Sequence, residues 1–474
     1  MNNKKAIVLG AGLTGLATAW SLVKDGYEVT LIEKADTTGG MAGTIDWDGW
    51  KYDYGVHSFH SKHQDILNFL SERLPEKFLE RKIGVKLYIF GKLMNYPIVG
   101  AQVFSSLSGL EALIAGIDFV NARVKAFLFG IKETEYLEEW IISRFGKTLY
   151  KAYFKPYIER IQKKDMKCLS SDIGKKKIPI FSIRQYLVRE LTRNKVVHPD
   201  EKILFHTYYC RGGFGVIGDY FMDEGKKTGK LSLKLHQKIR SIKIEENKIS
   251  KIVTDEGEYQ TAEALVVSTI PLEGLFETFE GVDDLKQKSR KLEYTSARFL
   301  LLKTNRDGIS RTSWTNFNGD EFTFNRVGEH RFDKFGIVPE EGRTSLTFEF
   351  PLNKNDECWN MPDRQLLEMI LPAYDKIYPL KKEDVIDLKS LWIDYATPRM
   401  TIGYKEILNS LFSFSMKIDN LYCLGRQGLF SYMNADQCIR IAFDFCGALK
   451  DNKAKHWQKH IIKTLHNVDL GEAK

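Results

Sequence analysis

The chain has little with which to bind a metal or build a disulfide framework. Its six cysteines, at positions 168, 210, 358, 423, 438 and 446, form no CxxC pair and show no metal-ligand spacing. They read as reduced thiols of a cytoplasmic protein, and no metal site is expected. No run of about 18 uninterrupted apolar residues occurs, and MNNKK leads straight into an apolar strand, which predicts neither a membrane span nor a cleaved signal. Repeats and low-complexity linkers are absent, and no convincing Ser–His–Asp set or catalytic thiol can be assembled. No nucleic-acid recognition motif accompanies the net charge of +8, so nucleic acid is not expected as a partner. The basic residues instead cluster at Lys163-Lys164, Lys175 to Lys177 and Lys226 to Lys243. Such clusters read as solvated faces, as attraction for an anionic substrate, or as loose contact with an acidic membrane surface.

What is present is the composition of a globular enzyme, 43% apolar and 12% aromatic, and 474 residues exceed what one core comfortably serves, so two domains are expected. The most informative stretch is Ala6 to Gly15, AIVLGAGLTG. A short apolar strand enters Gly10-x-Gly12-x-x-Gly15, and the helical pattern that follows begins at Leu13 and Thr14. Gly10 permits a tight turn, Gly12 a close approach of backbone to pyrophosphate, and Gly15 close packing of helix on strand. The helix N-terminus then faces the phosphates. The next strand, Tyr27 to Ile32, ends on Glu33, spaced to accept hydrogen bonds from ribose hydroxyls. Lys34 leads into a second glycine turn, Gly39-Gly40-Met41-Ala42-Gly43, which favours FAD over NAD(P).

Strand and helix patterns give a discontinuous order. Residues 1–60, 205–290 and 405–450 are expected to form a Rossmann-type, GR2-like nucleotide-binding domain of α/β class. Residues 61–204 and 291–404 would form a mixed helical and antiparallel-sheet substrate domain, with 62–200 helical, strands near Arg298 to Lys303, Phe322 to Asn325 and Ser345 to Phe350, and a helix near Asp363 to Tyr374. A small-molecule site is expected in the cleft between them. The basic tail 451–474 reads as a loose amphipathic helix without assigned function.

The second glycine turn resembles that of the large FAD family that includes amine oxidases, protoporphyrinogen oxidase and UDP-galactopyranose mutase, where it wraps the pyrophosphate and ribityl chain; Met41 stands where many members carry arginine. Tyr208 to Gly215, YYCRGGFG, is similar to the family's aromatic–Gly-Gly turn, whose glycines let backbone pass beneath a planar ring. Leu424-Gly425-Arg426-Gln427-Gly428 with Tyr432, Asn434 and Asp436 resembles its closing motif. A helix beginning near Ala435 would there aim its N-terminal dipole at the flavin N1–C2=O edge.

Two segments resemble the mutase branch. Tyr54 to Ser61, YGVHSFHS, is similar to a loop that sets a histidine near the flavin, which makes His57 and His60 candidates; a pair three apart also suits capping or a core. Phe324 to Phe332, FNRVGEHRF, resembles the run whose arginine binds the nucleotide-sugar diphosphate, here Arg326, the other reading being a surface arginine on an edge strand. Tyr157, in FKPYIER, matches a substrate-binding tyrosine position. The chain departs from the mutases at Val56 (proline there), Gln162 (tryptophan), Phe181 (near an arginine) and Asn434 (an acid). The closing motif and Trp392 to Tyr404 are closer to protoporphyrinogen-oxidase-like relatives.

The mutase resemblance implies a net redox-neutral interconversion of pyranose and furanose forms of an NDP-sugar, in which N5 of reduced FAD is the nucleophile at the anomeric carbon, serving surface polysaccharide synthesis. Arg326 and Arg426 would clamp the diphosphate with Tyr432 beside them, and His57 and His60 would stand by the flavin. The alternative is an oxidase or dehydrogenase of the protoporphyrinogen oxidase/amine oxidase type; a flavin-bearing scaffold without turnover is a third reading.

Overall fold

The computed structural model describes residues 4–95, 108–130, 133–178, 207–468 and 470. Two sheets organise them. Five parallel strands stand in the order Leu421–Cys423, Ala264–Ser268, Lys5–Leu9, Glu28–Ile32, Leu231–Lys234. The helix Leu13–Lys24 lies against this sheet and is covered by Val216–Lys227 and Ala435–Lys450. Every residue from Leu13 to Val23 is buried, which explains why that helix reads as apolar all round rather than amphipathic. Apolar clusters fill both faces of the sheet, as a parallel sheet requires.

Seven strands form the second sheet, in the order Val385–Arg399, Glu293–Thr304, Thr344–Leu352, Arg326–Arg331, Trp314–Asn318, Val85–Ile89, Lys92–Asn95. Its pairings are antiparallel except between Trp314–Asn318 and Val85–Ile89. Thr344–Leu352 is buried at all positions, and an aromatic-rich core lies beneath it, with Phe317, Phe324, Phe348 and Tyr374 in edge or tilted contact. The architecture is the α/β class expected, a Rossmann-type parallel sheet beside a mixed, mainly antiparallel one.

Three local expectations fail. The stretch 62–200, of which 96–107, 131–132 and 179–200 lie outside the described residues, is helical at Gln64–Arg73, Gly109–Phe129, Leu137–Phe145 and Lys155–Gln162, but it also contains Phe78–Glu80 and the hairpin Val85–Ile89/Lys92–Asn95. There the side chains alternate between faces, and Phe90 and Gly91 turn at positive φ, 55° and 71°, the two-residue hairpin geometry. Phe322 to Asn325 is not a strand; Phe322 and Phe324 plug the aromatic core, and the strand begins at Arg326. The tail is not loose, since helix Ala454–His466 buries Ala454, Gln458, Ile462 and His466, and the His466 ring Nε2 lies 2.7 Å from the Leu429 carbonyl. Phe181, singled out in the sequence, lies outside the described residues. Among the described residues no helix is long and apolar enough to cross a membrane.

Candidate active site

The glycine turn after the first strand is built as its sequence requires. A Cβ on Gly15 would fall 1.9 Å from the Gly10 carbonyl oxygen, so the helix can only lie this close to the strand without one. Gly12, by contrast, has open space where its side chain would be, and it caps the helix without a side-chain hydrogen bond. The first N–H groups beyond it, from Leu13, Thr14 and Gly15, therefore have no side-chain cap and suit a phosphate. Glu33 accepts from Ala11 N at 2.8 Å and Ala35 N at 2.9 Å, one carboxylate oxygen each. Each oxygen keeps a second lone pair for a ribose hydroxyl. Gly40 packs against Gly12, Gly425 against Thr14, and Met41, partly buried, packs against a small buried apolar cluster with its sulfur 3.8 Å from Gln427 Nε2. Ala42 packs at the edge of the sheet core, and Lys34 lies 5.9 Å over the Tyr395 ring.

The aromatic–Gly-Gly turn is held by a residue that sequence reasoning missed. Asp53 is buried and accepts from Tyr209 OH at 2.6 Å, Phe214 N at 3.0 Å and Thr44 Oγ1 at 2.5 Å. Gly213 and Gly215 approach Thr44 so closely that a Cβ would come within 2.4 and 2.6 Å of it. Phe214, so fixed, stacks on His57 at 4.7 Å and 23°.

Arg326 opens its strand directly opposite Glu349 in the antiparallel register. Its Nε and one terminal nitrogen each lie 2.8 Å from the same Glu349 oxygen. The other oxygen accepts from Val56 N at 2.6 Å. Gly55, at φ +92°, must be glycine, since a Cβ would sit 2.5 Å from that oxygen. Glu349 thus ties the 54–61 loop to the arginine strand. Its sequence signal is faint, a single carboxylate inside a fully buried strand. Burial works to lower the Arg326 pKa, but Glu349, joined by Tyr432 and Tyr157, holds it above the ordinary value. Burial pulls His57 below 6.5, with Asp53 and Glu349 opposing and Arg326 adding to the fall. His57 Nδ1 is buried without a partner.

The closing motif brings the remaining residues in. Arg426 lies 4.7 Å over the Tyr432 ring, donates to Thr397 Oγ1 at 2.8 Å, and leaves its Nε buried without a partner. Helix Ala435–Lys450 starts at Ala435, with Asn434 as N-cap, and Gln437 accepts from Asn434 N at 2.9 Å. Ser61 donates to buried Asp436 at 2.8 Å, and the His60 ring Nε2 is 3.4 Å from Asn434 Nδ2. Arg326, Arg426, Tyr432, Tyr157 and His57 are therefore brought together, whereas His60 belongs to the start of the last long helix. Glu329 and His330 of the arginine run serve elsewhere: Glu329 accepts from the Ile309, Ser310 and Arg311 N–H groups, and His330 stacks on Tyr209. Beside the cluster, a pocket of about 630 Å³ is lined by Pro156, Arg160, Lys163, Asp320 and Asp356 among others. Arg160 donates to the Gly319 and Phe322 carbonyls, so its charge is committed to the fold.

Residues 13–422 match the model of the flavin-containing amine oxidoreductases. The chain belongs to that family. Its cofactor is FAD, and the open space at Gly12, the uncapped helix start and the spare acceptor capacity of Glu33 fit the phosphates and ribose of that dinucleotide. Among solved structures, reduced UDP-galactopyranose mutase superposes with TM-score 0.80, 17% identity and 98% coverage of both chains. A putative protoporphyrinogen oxidase from Exiguobacterium sp. gives 0.71 and 15%, over 95% of this chain and 100% of that one. At these identities the likeness is one of fold. In sequence the chain is similar to a 1-hydroxycarotenoid 3,4-desaturase of Flavobacterium sp., 23% identical over 54% of each chain. It is also similar to a probable UDP-galactopyranose mutase of Klebsiella pneumoniae, 30% identical over 33% of this chain and 40% of that one. The chain thus spans about half the length of these family relatives or less.

Proposed function

We propose that this flavoprotein is a sugar-nucleotide mutase, interconverting pyranose and furanose forms of an NDP-sugar. The observation that carries the reading is the grouping of two guanidinium groups, Arg326 and Arg426, with two tyrosines, Tyr157 and Tyr432. Such a grouping suits a leaving diphosphate, which carries two negative charges while joined to the sugar, gains a third as it leaves, and presents oxygens in the plane a guanidinium can meet. When bound and reduced, FAD supplies the electron-rich centre that the anomeric carbon requires. The side chains do the rest. Arg326 and Arg426 hold the diphosphate when its bond to the anomeric carbon breaks and until it re-forms. The sugar hydroxyl re-closes the ring at a different oxygen, and no electrons are gained or lost overall. Glu349 keeps Arg326 aimed and moderates its charge, so the clamp releases product. Neutral His57, stacked on Phe214, presents an uncharged face beside this cluster.

The test is the Arg326→Ala variant. Nucleotide-sugar affinity is expected to fall at least 100-fold with FAD absorbance retained, since about 3 kcal/mol is typical for a lost charge-assisted pair. Unchanged affinity removes the clamp. A second reading, hydride removal by an oxidase or dehydrogenase, is favoured by the desaturase relative and by the aromatic group Tyr294, Tyr395 and Phe430 beside Gln427. In that case the protein bleaches with its substrate and regains colour in air.

A further inference from the structure

Nine of the fifteen large apolar residues exposed among the described residues lie on one helix, Gly109–Phe129. Its small residues face the protein, with Ala115 buried. Asp118 pins it, accepting from Thr148 N at 3.1 Å and Thr148 Oγ1 at 2.7 Å. The approach is so close that a Cβ on Gly146 would lie 2.8 Å from Asp118. The bulky residues point away. At 3.6 residues per turn they cover an arc of about 140°, from Phe127 and Val120 at one edge, through Leu113, Val124 and Ile117, to Ile114 at the other. These six are 44% to 86% exposed.

That is the width of a stripe facing a core, on a helix whose inner side is already docked, and exposed apolar surface of this extent marks a binding face. Three features say what it binds. The arc is convex and carries a single polar side chain, Asn121, so it supplies few of the hydrogen bonds a protein interface uses. Its two edges are cationic. Exposed Lys125 follows just beyond Ile114 around the helix, Arg123 lies beyond Phe127 on the other side, and exposed Lys147 adjoins Thr148 on the turn that seats Asp118. The acids of the helix are turned to other tasks: Asp118 is bonded to Thr148, and Glu111 faces away from the arc and bonds back to Ser108 at the N-cap. Long cationic stems at the borders reach headgroup phosphates while the apolar side chains between them lie deeper. The chain's net charge of +8 favours the same surface at longer range. Among the described residues no helix is long and apolar enough to cross a membrane, and this one is held to the protein along its inner side. We infer that helix Gly109–Phe129 lies flat in the interface of a bilayer containing anionic phospholipid, its apolar arc among the upper acyl chains and its bordering cations among the phosphates.

The test is co-sedimentation of the full FAD-loaded chain with vesicles of phosphatidylcholine containing about one-third phosphatidylserine. The wild type is expected to pellet with them, and to bind vesicles of phosphatidylcholine alone about tenfold more weakly or less. Ile117→Ser/Val124→Ser should bind the mixed vesicles about 100-fold more weakly, with FAD absorbance and far-ultraviolet circular dichroism unchanged, because both side chains are exposed in the free protein. Lys125→Glu should weaken binding about tenfold on the mixed vesicles and leave binding to phosphatidylcholine alone unaltered. A wild type that stays in the supernatant overturns the inference, and sedimentation of that protein at twice the chain mass would reassign the arc to a second copy of the chain. Equal binding with and without phosphatidylserine overturns the anionic surface. Full binding by the double serine variant overturns the helix as the contact and points to the basic clusters elsewhere. Should that variant lose FAD, Phe127→Ser, at the most exposed position of the helix, decides by the same measurement, with about a tenfold loss expected.

Discussion

The two sheets meet the site by opposite means. On the parallel sheet, contact depends on side chains that are missing: Gly15 against Gly10, Gly40 against Gly12, Gly425 against Thr14. On the antiparallel sheet it depends on a charged pair, Arg326 with Glu349; the same sheet carries two further pairs elsewhere, Arg399 with Glu293 and Arg298 with Asp363, the last guanidinium fully buried and also bonded to Ser390. A glycine turn presents backbone N–H groups at fixed positions, whose loss of water is offset by the phosphate oxygens they meet. A buried ion pair is expensive to form and worse to half-remove. The first kind of construction suits a cofactor that stays; the second suits a charged group that must arrive and leave.

The comparison can be broken most severely at Gly15. Gly15→Ala forces the helix off the strand, and FAD content measured from visible absorbance of the purified protein is expected to fall to near zero. Retention of a full complement would mean the turn does not set the cofactor site. The next largest effect is at Glu349. Glu349→Gln leaves Arg326 without its counter-charge and the 54–61 loop with a weaker tether. We expect a loss of about 2–3 kcal/mol in urea unfolding, below the full cost of orphaning a buried charge because Arg326 keeps some solvent. FAD should stay bound, and product release should slow. An unchanged midpoint would remove the pair from the account.

A smaller effect sharpens the contrast through pH. Burial holds the His466 pKa down to about 3. The folded protein therefore keeps His466 neutral where the unfolded chain protonates it, so stability is full above pH 6.5 and falls as pH drops below it. His466→Gln should flatten the dependence of the melting temperature on pH between 6 and 4 by about one proton; an unaltered slope would show that the ring is solvated. Smallest is Gln437→Ala, which removes the acceptor for Asn434 N at the last long helix and should cost about 0.5–1 kcal/mol.

Legibility followed the same division. The parallel sheet and its turns were readable because strand, glycines, helix and terminal Glu33 lie within one short stretch, and each residue's reason is local. Helix Ala435–Lys450 began where its motif placed it. The antiparallel side was harder. Glu349 stands 23 residues from Arg326, and only sheet register brings them opposite. Asp53 and Tyr209 are 156 residues apart. The hairpin at 85–95 was lost because a short alternating run sits among long helical ones, and the tail looked loose because the partner of His466, Leu429, is distant in sequence. Glu329 and His330, which made the arginine run conspicuous, support the sheet rather than the cluster.

The central claim is that Arg326, charge-paired on the antiparallel sheet, and Arg426 of the closing motif hold a nucleotide diphosphate beside bound FAD during a reaction with no net redox change. The direct measurement is anaerobic incubation of the dithionite-reduced protein with UDP- and GDP-hexopyranoses, following products by chromatography and oxygen uptake in a parallel aerated sample. The account predicts furanose formed from at least one of them by the reduced protein, little from the oxidised protein, and no oxygen consumed in proportion to product. Turnover only in the oxidised state, with oxygen consumed one for one, would contradict it.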